Sequence, residues 1–337
     1  MKKFLSILLV FAMLLSLCSC KKNDIKDIDT FTMIIPYGAG GTTDVIGRKL
    51  AEAIEKVSQK TVVVKNVGGA SGAIGCQEAL DAEPDGSTLL FCADSLGTQR
   101  IMDLSKLSYD DYTPIYAIAN DPKVIIVNKD SQYDTIEKLL KVIKGHPHQV
   151  GMSYTGPGGS GHVQALIMEM FGYIPALIPY TSGGEGILAV MSGDATFTNA
   201  NFSTVKNYIE SGEVKLVAVC ANNRMESYPD VPALSEVIPN SEYYMDIPYV
   251  PLSLLVSKEV SENMVNEIKE IVKNALYDSD FNQFMEENSI DKLYEKYTTE
   301  SEMRKFYSEW ESLVSWLIYD AGAAKFSPEE FDIVRPY

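Results

Sequence analysis

Three segments combine glycines with hydroxyl side chains in a pattern that could hold an anion: Tyr37-Gly38-Ala39-Gly40-Gly41-Thr42-Thr43-Asp44, Gly68-Gly69-Ala70-Ser71-Gly72-Ala73-Ile74-Gly75, and Tyr154-Thr155-Gly156-Pro157-Gly158-Gly159-Ser160-Gly161-His162. Each follows a short apolar run and precedes residues whose apolar positions recur at helical spacing, so each reads as a loop between a strand and a helix. Glycine lets the backbone take positive φ and approach a ligand closely, and the free N–H groups and dipole of a helix N-terminus favour negative charge. A carboxylate can be held in this way without Lys or Arg. One such loop by itself reads equally well as a tight turn; three of them at one sheet edge, where an open α/β sheet binds its ligands, point to a shared site.

Enzymatic readings of the same letters fail. A phosphate-binding P-loop requires Gly-Lys-Ser/Thr at its end, and neither of the first two loops supplies the Lys. A dinucleotide fingerprint starts well at Gly38 but meets Thr43 where its third glycine belongs, and the next strand runs Val62-Val63-Val64-Lys65 without the acidic end that would take a ribose. Gly158-Gly159-Ser160-Gly161-His162 lacks the spacing of a nucleophile elbow, which leaves Ser160 no special claim as a nucleophile. The three histidines, His146, His148 and His162, form no metal-ligand spacing with Cys or Glu. Neither catalytic residues, a metal site nor a cofactor is expected.

The elements that must position these loops alternate. Strands are expected at Thr32 to Pro36, Thr61 to Val64, Ser87 to Cys92, Val124 to Val127, Gln149 to Ser153, Ala195 to Thr198 and Lys215 to Val219. Helices are expected after the first loop, around Ile136 to Ile143, from Val163 to Phe171 and from Glu185 to Met191, with Ser261 to Tyr319 mostly helical. This order predicts an α/β fold of mainly parallel sheets flanked by helices. At 337 residues the chain is long enough for two lobes, each with its own core. A new lobe is expected to start near Val124, and the C-terminal part to return onto the first.

The N-terminus has another character. Lys2 and Lys3 precede the apolar run Phe4 to Leu17, too short to span a bilayer comfortably and suited to a signal peptide. It ends in Leu17-Cys18-Ser19-Cys20, which resembles a bacterial lipobox in which Cys20 is lipidated and becomes the mature N-terminus; the alternative is a signal that is cleaved without lipidation. Residues 1–19 then form the signal peptide and 20–30 a lipidated tether holding the body off the membrane. Their removal takes Lys2 and Lys3 from a chain of formal net charge −17 and leaves −19, which repels nucleic acid and anionic membrane. Cys76, Cys92 and Cys220 cannot all pair with one another and read as small core residues.

On these residues the sequence resembles the tripartite tricarboxylate transporter substrate-binding family, the Bug receptors. Pro36 to Asp44 is similar to the family's first loop, Asn66 with Gly68 to Gly75 to its second, and Pro84-Asp85-Gly86-Ser87-Thr88-Leu89-Leu90 to its third strand. Tyr154 to His162, Pro179-Tyr180 with Gly183, Gly193-Asp194, and Val217-Ala218-Val219 leading to Arg224 and Pro229-Asp230-Val231-Pro232 follow in the same order, so that the resemblance spans about residues 31–322.

The resemblance implies a two-lobed periplasmic-binding fold of type II, with 31–124 and 248–337 as lobe 1 and 125–247 as lobe 2. It implies an extracytoplasmic receptor that closes on a small carboxylate, an organic acid or acidic amino acid, and hands it to transporter membrane subunits. The body would be a monomer that meets the membrane only through its lipid. An alternative within the same fold is a receptor that feeds a membrane sensor kinase. Carried over by position, the first-lobe contacts are Tyr37, Gly38, Gly40, Gly41, Thr42, Thr43, Asp44, Ala70, Ser71, Asp94 and Ser95, and the second lobe offers Thr155, Gly156, Ser160, His162, Tyr180, Thr181 and Asn199. The sequence departs from the pattern at Lys65, at Gly183-Gly184 and in the tail Phe326 to Tyr337. Asp94 has two readings. It could pair with a ligand ammonium, or it could be an exposed loop carboxylate capping the helix that follows.

Overall fold

The computed structural model describes residues 25–245 and 251–336. The signal peptide, Cys20, the tether up to residue 24 and residues 246–250, which contain the expected boundary between 247 and 248, lie outside the described residues. The chain runs β1 (Thr30–Ile35), α1 (Thr42–Ser58), β2 (Thr61–Asn66), α2 (Ala73–Asp81), β3 (Thr88–Cys92), β4 (Tyr112–Asn120), β5 (Lys123–Asn128), α3 (Ile136–Gly145), β6 (Gly151–Tyr154) and α4 (Ser160–Met170). It continues through β7 (Ala176–Pro179), α5 (Gly183–Ser192), β8 (Phe197–Asn201), α6 (Phe202–Glu210), β9 (Val214–Val219), β10 (Pro251–Ser257), α7 (Glu262–Leu276), α8 (Ser279–Glu287), β11 (Asp291–Lys292) and α9 (Glu300–Asp320).

Two sheets result, ordered β11-β4-β10-β3-β1-β2 and β7-β6-β8-β5-β9. Strand residues explain why both faces are covered. In β1, Phe31, Met33 and Ile35 belong to one apolar cluster and Ile34 to another; in β3, Leu89 and Phe91 oppose Leu90 and Cys92 in the same way. Successive side chains point to opposite faces, so an uninterrupted apolar run needs a helical layer on each side. The first sheet has α1 and α7 on one face, with α2 and α9 on the other. In β5, Ile125 and Val127 face α3 and α4, whereas Val124 and Ile126 face α5 and α6.

The two-lobed α/β architecture matches expectation, but the sheets are mixed rather than mainly parallel. β1 pairs in parallel with β2 and β3, and β6 with β7 and β8. β10, however, enters antiparallel between β3 and β4, and β5 runs antiparallel to both β8 and β9. β5 follows β4 directly after Asp121-Pro122, with no helix between the two strands. β4 and β10 were not among the expected strands: Pro114 lies within β4, and Pro251 opens β10, which is nevertheless buried at every position.

The C-terminal part does return onto the first sheet, through β10, β11 and α7. The tail folds back along α9: Trp316 Nε1 donates to Ile333 O at 3.1 Å, Ile333 is buried, and the Arg335 guanidinium lies 3.8 Å from the Trp316 ring centroid. Cys76, Cys92 and Cys220 are free and buried.

Candidate functional site

Between the sheets, the N-termini of α1, α4 and α5 meet at Thr42, Ser160 and Gly183 around a cavity of about 70 Å3. At about 10–15 Å3 per water the space takes roughly five water molecules, or one small ligand. The facing loops are already in contact. Thr98 Oγ1 donates to Gly158 O at 2.8 Å, and a Cβ added at Gly184 would lie 2.9 Å from Gly40 O.

The first loop is held by Asp44. Its carboxylate accepts from Gly40 N–H at 2.9 Å and from Asn66 Nδ2 at 2.9 Å, and it pairs with Arg48 at 2.9 Å. Burial by itself would push this carboxyl up, but the bonds from Arg48, Gly40 and Asn66 together hold it below the usual range. The loop's left-handed residue is Gly40, with φ of 80°; Gly41 has an ordinary φ of −85° and caps α1. The second loop turns through Ala70 and Ser71, both with positive φ. Ser71 O accepts from Ser95 Oγ at 2.7 Å, and Ser95 Oγ also bonds the Tyr37 hydroxyl at 2.5 Å.

In the opposite wall His162 is buried, and its Nδ1 accepts from Gly158 N–H at 3.1 Å. Burial drives its pKa down to about 4, so at neutral pH the ring is an uncharged acceptor that fixes the loop. Thr181 bonds Glu185 through both its N–H and its hydroxyl, and the Ser182 hydroxyl caps α5 by accepting from Glu185 N–H at 3.2 Å. Asn199 Nδ2 donates to Gly161 O at 3.4 Å.

Of the residues singled out from sequence, Tyr37, Gly38, Gly41, Thr42, Thr43, Asp44, Ser71, Asp94, Ser95, Thr155, Ser160, Thr181 and Asn199 line the cavity. Gly40, Ala70, Gly156, His162 and Tyr180 are not part of its lining: Gly40 and His162 shape the loops, Ala70 is exposed, Gly156 supplies a positive φ, and Tyr180 packs against the cluster of Ala189, Val190 and Ala195. Tyr154, Ser182 and Thr198 also line it and were missed.

Two buried charges change the electrostatic picture. Asp94 is not an exposed cap on the helix that follows it. It is 4% exposed, and its carboxyl lies by the Ser160 N–H, at the start of a helix in the facing lobe, which favours its ionised form. Burial raises its pKa to about 6, against the pull of Lys123. Lys123, at the head of β5, is buried in the cavity wall with Nζ donating to Asn199 O at 3.2 Å; burial lowers its pKa, opposed by Asp94. The site therefore has a basic side chain that the sequence reading did without. Its signal was slight, a single Lys between Asp121-Pro122 and an apolar strand. Asp121 binds Ser203 and the Thr42 hydroxyl, and its burial raises it to about 7.

A cavity between two α/β lobes, ringed by helix N-termini and glycine loops, defines a periplasmic-binding-type solute receptor. Residues 46–314 match the model of the tripartite tricarboxylate transporter family receptor, and the chain belongs to that family. It is 26% identical to Protein BugT of Bordetella pertussis over 245 residues, 70% of this chain and 74% of that one. The fold is similar to that of periplasmic binding protein BugD, with a TM-score of 0.77 at 23% identity over 88% of this chain and 98% of the other. It is also similar to an R. palustris protein solved with adipate, with a TM-score of 0.78 at 19% identity over 88% and 98%. The family is one of extracytoplasmic solute-binding receptors, not of enzymes. Among the described residues no cluster of His, Cys, Asp or Glu could hold a metal ion, and no helix is long and apolar enough to cross a membrane.

Proposed function

We propose that this chain is the receptor of a tripartite tricarboxylate-type transporter, which binds a small carboxylate in the interlobe cavity and delivers it to membrane subunits. The observation that carries this reading is the convergence of three helix N-termini, at Thr42, Ser160 and Gly183, on one small space. N–H groups and helix dipoles there favour an anion; with Asp94 beside the Ser160 N–H, those of α1 and α5 remain for the ligand. Tyr37, Thr42, Thr43, Ser71, Ser95, Thr155, Thr181 and Asn199 offer the polar contacts that would orient it.

Residues 31–124 with 248–337 act as one lobe and 125–247 as the other, in a monomer tethered by a lipid on Cys20 after removal of residues 1–19. The lobes part to admit the ligand and close over it, hinging near the Asp121-Pro122 passage between β4 and β5. A thermal-shift screen of the full chain against small organic acids and amino acids tests the assignment. A ligand at about 100 times its Kd adds roughly 2.7 kcal/mol of stability. A panel of carboxylates of every length without any rise in melting temperature would overturn it.

A further inference from the structure

We propose that Asp94 selects a ligand carrying an ammonium group next to its carboxylate, an α-amino acid rather than a plain organic acid; this rests on the carboxylate-receptor reading above. Asp94 stands in the cavity wall, 4% exposed, and its Oδ2 has no hydrogen-bond partner. A buried carboxylate oxygen left unpaired is costly, and a partner supplied by the ligand removes that cost. Lys123 does not fill the role: it acts on Asp94 through its field while its Nζ donates to Asn199 O.

The position of Asp94 also alters what the three helix N-termini can do. Its carboxyl already lies by the Ser160 N–H, so the N-terminus of α4 faces the protein's own acidic group. That leaves α1 and α5, at Thr42 and Gly183, to receive the carboxylate of a ligand. A second ligand carboxylate brought to Asp94 would set two anions in contact inside a small buried space. An ammonium there forms a charge-assisted hydrogen bond to Oδ2. One anion-accepting side and one cation-accepting side, in a space this small, match a zwitterion.

The experiment is calorimetric titration of the full chain, purified in detergent, with matched sets that differ only at the α-carbon. L-aspartate, L-malate and succinate form one set; L-glutamate, 2-hydroxyglutarate and glutarate a second; L-alanine, L-lactate and propionate a third. In at least one set the amino acid binds more tightly than both analogues, by about tenfold or more, as a hydrogen bond between charged groups requires. Asp94→Asn keeps the acceptor for Ser160 N–H but removes the charge, and it abolishes that preference. A wild-type protein that prefers the hydroxy or unsubstituted acid in every set overturns the proposal, and so does an unchanged preference in a folded Asp94→Asn protein. If other organic acids bind while no amino acid does, the carboxylate reading stands and this one falls. If no carboxylate of any kind binds, both fall.

Discussion

Gly184→Ala isolates lobe closure from folding. Gly184 lies in the first turn of α5, facing the first loop of the other lobe. A Cβ built there would be 2.9 Å from Gly40 O, 3.2 Å from Gly40 C and 3.7 Å from Gly40 Cα. All three are backbone atoms of a loop tied down by Asp44, so no flexible side-chain end can swing away. The lobes would have to stand off by a few tenths of an ångström. Overpacking of this kind costs about 1–3 kcal/mol. Within α5 the same methyl group is welcome: Gly to Ala at a compatible backbone position stabilises by about 0.4–1 kcal/mol through the unfolded chain. The two effects fall on different states. The melting temperature of the unliganded protein should hold or rise, while the cost of closure weakens binding by about 5- to 150-fold, at about 1.4 kcal/mol per factor of ten. Calorimetry with a ligand found by screening measures the loss, and small-angle scattering with and without ligand follows closure as a fall in radius of gyration. A Kd within about twofold of wild type, with an unchanged fall in radius, would refute the reasoning, because the Gly40–Gly184 approach would then be no part of the loaded state. A lowered melting temperature without ligand would refute it differently, by placing the damage in the fold.

Cys20→Ala should leave the protein folded but move it from the membrane fraction to the soluble fraction, with Cys18→Ala remaining at the membrane; the reverse pattern in a cell fractionation would sink the lipobox assignment. His162 has a folded pKa of about 4 against an ordinary 6.5, so its contribution is complete above pH 6.5 and declines as pH falls towards 4. Because Asp94 and Asp121 are shifted the opposite way, the quantity to measure is the gap between wild type and His162→Gln in chemical denaturation; it should shrink by about 2 kcal/mol between pH 7 and pH 5, and a constant gap would mean that His162 is not held neutral. Deleting residues 326–337 strips Ile333, Phe331 and Arg335 from α9 and should cost about 2–4 kcal/mol, lowering the melting temperature by about 5 °C or more; an unchanged melting curve would show that the tail adds nothing.

The sequence by itself determined the parts whose physics is local. A glycine and hydroxyl run between an apolar strand and a helical repeat marks a strand-loop-helix unit wherever it occurs, which is why the loops at Gly38, Gly68 and Gly156 could each be read as anion-binding; that they do not share one sheet edge, the first two ending strands of one sheet and the third a strand of the other, only the structure shows. The alternation of strands with helices announced sheets flanked by helices, with strands at Ser87 to Cys92 and Val124 to Val127 among them. Tertiary structure decided whatever depends on which residues meet across the chain. β10 and β5 enter their sheets antiparallel, and neither strand's own residues encode a partner's direction. Roles within the first loop were settled by contacts too: Gly40 takes the left-handed turn, with its N–H bonded to Asp44. Asp94 is the plainest case. In the sequence it is an acidic residue before a possible helix, and only the approach of the second lobe sets its carboxylate against Ser160 N–H, with Lys123 nearby and one oxygen turned to no protein partner. Burial and charge pairing are sums over neighbours far apart in the chain, so the character of the cavity could be fixed only once both lobes were in place.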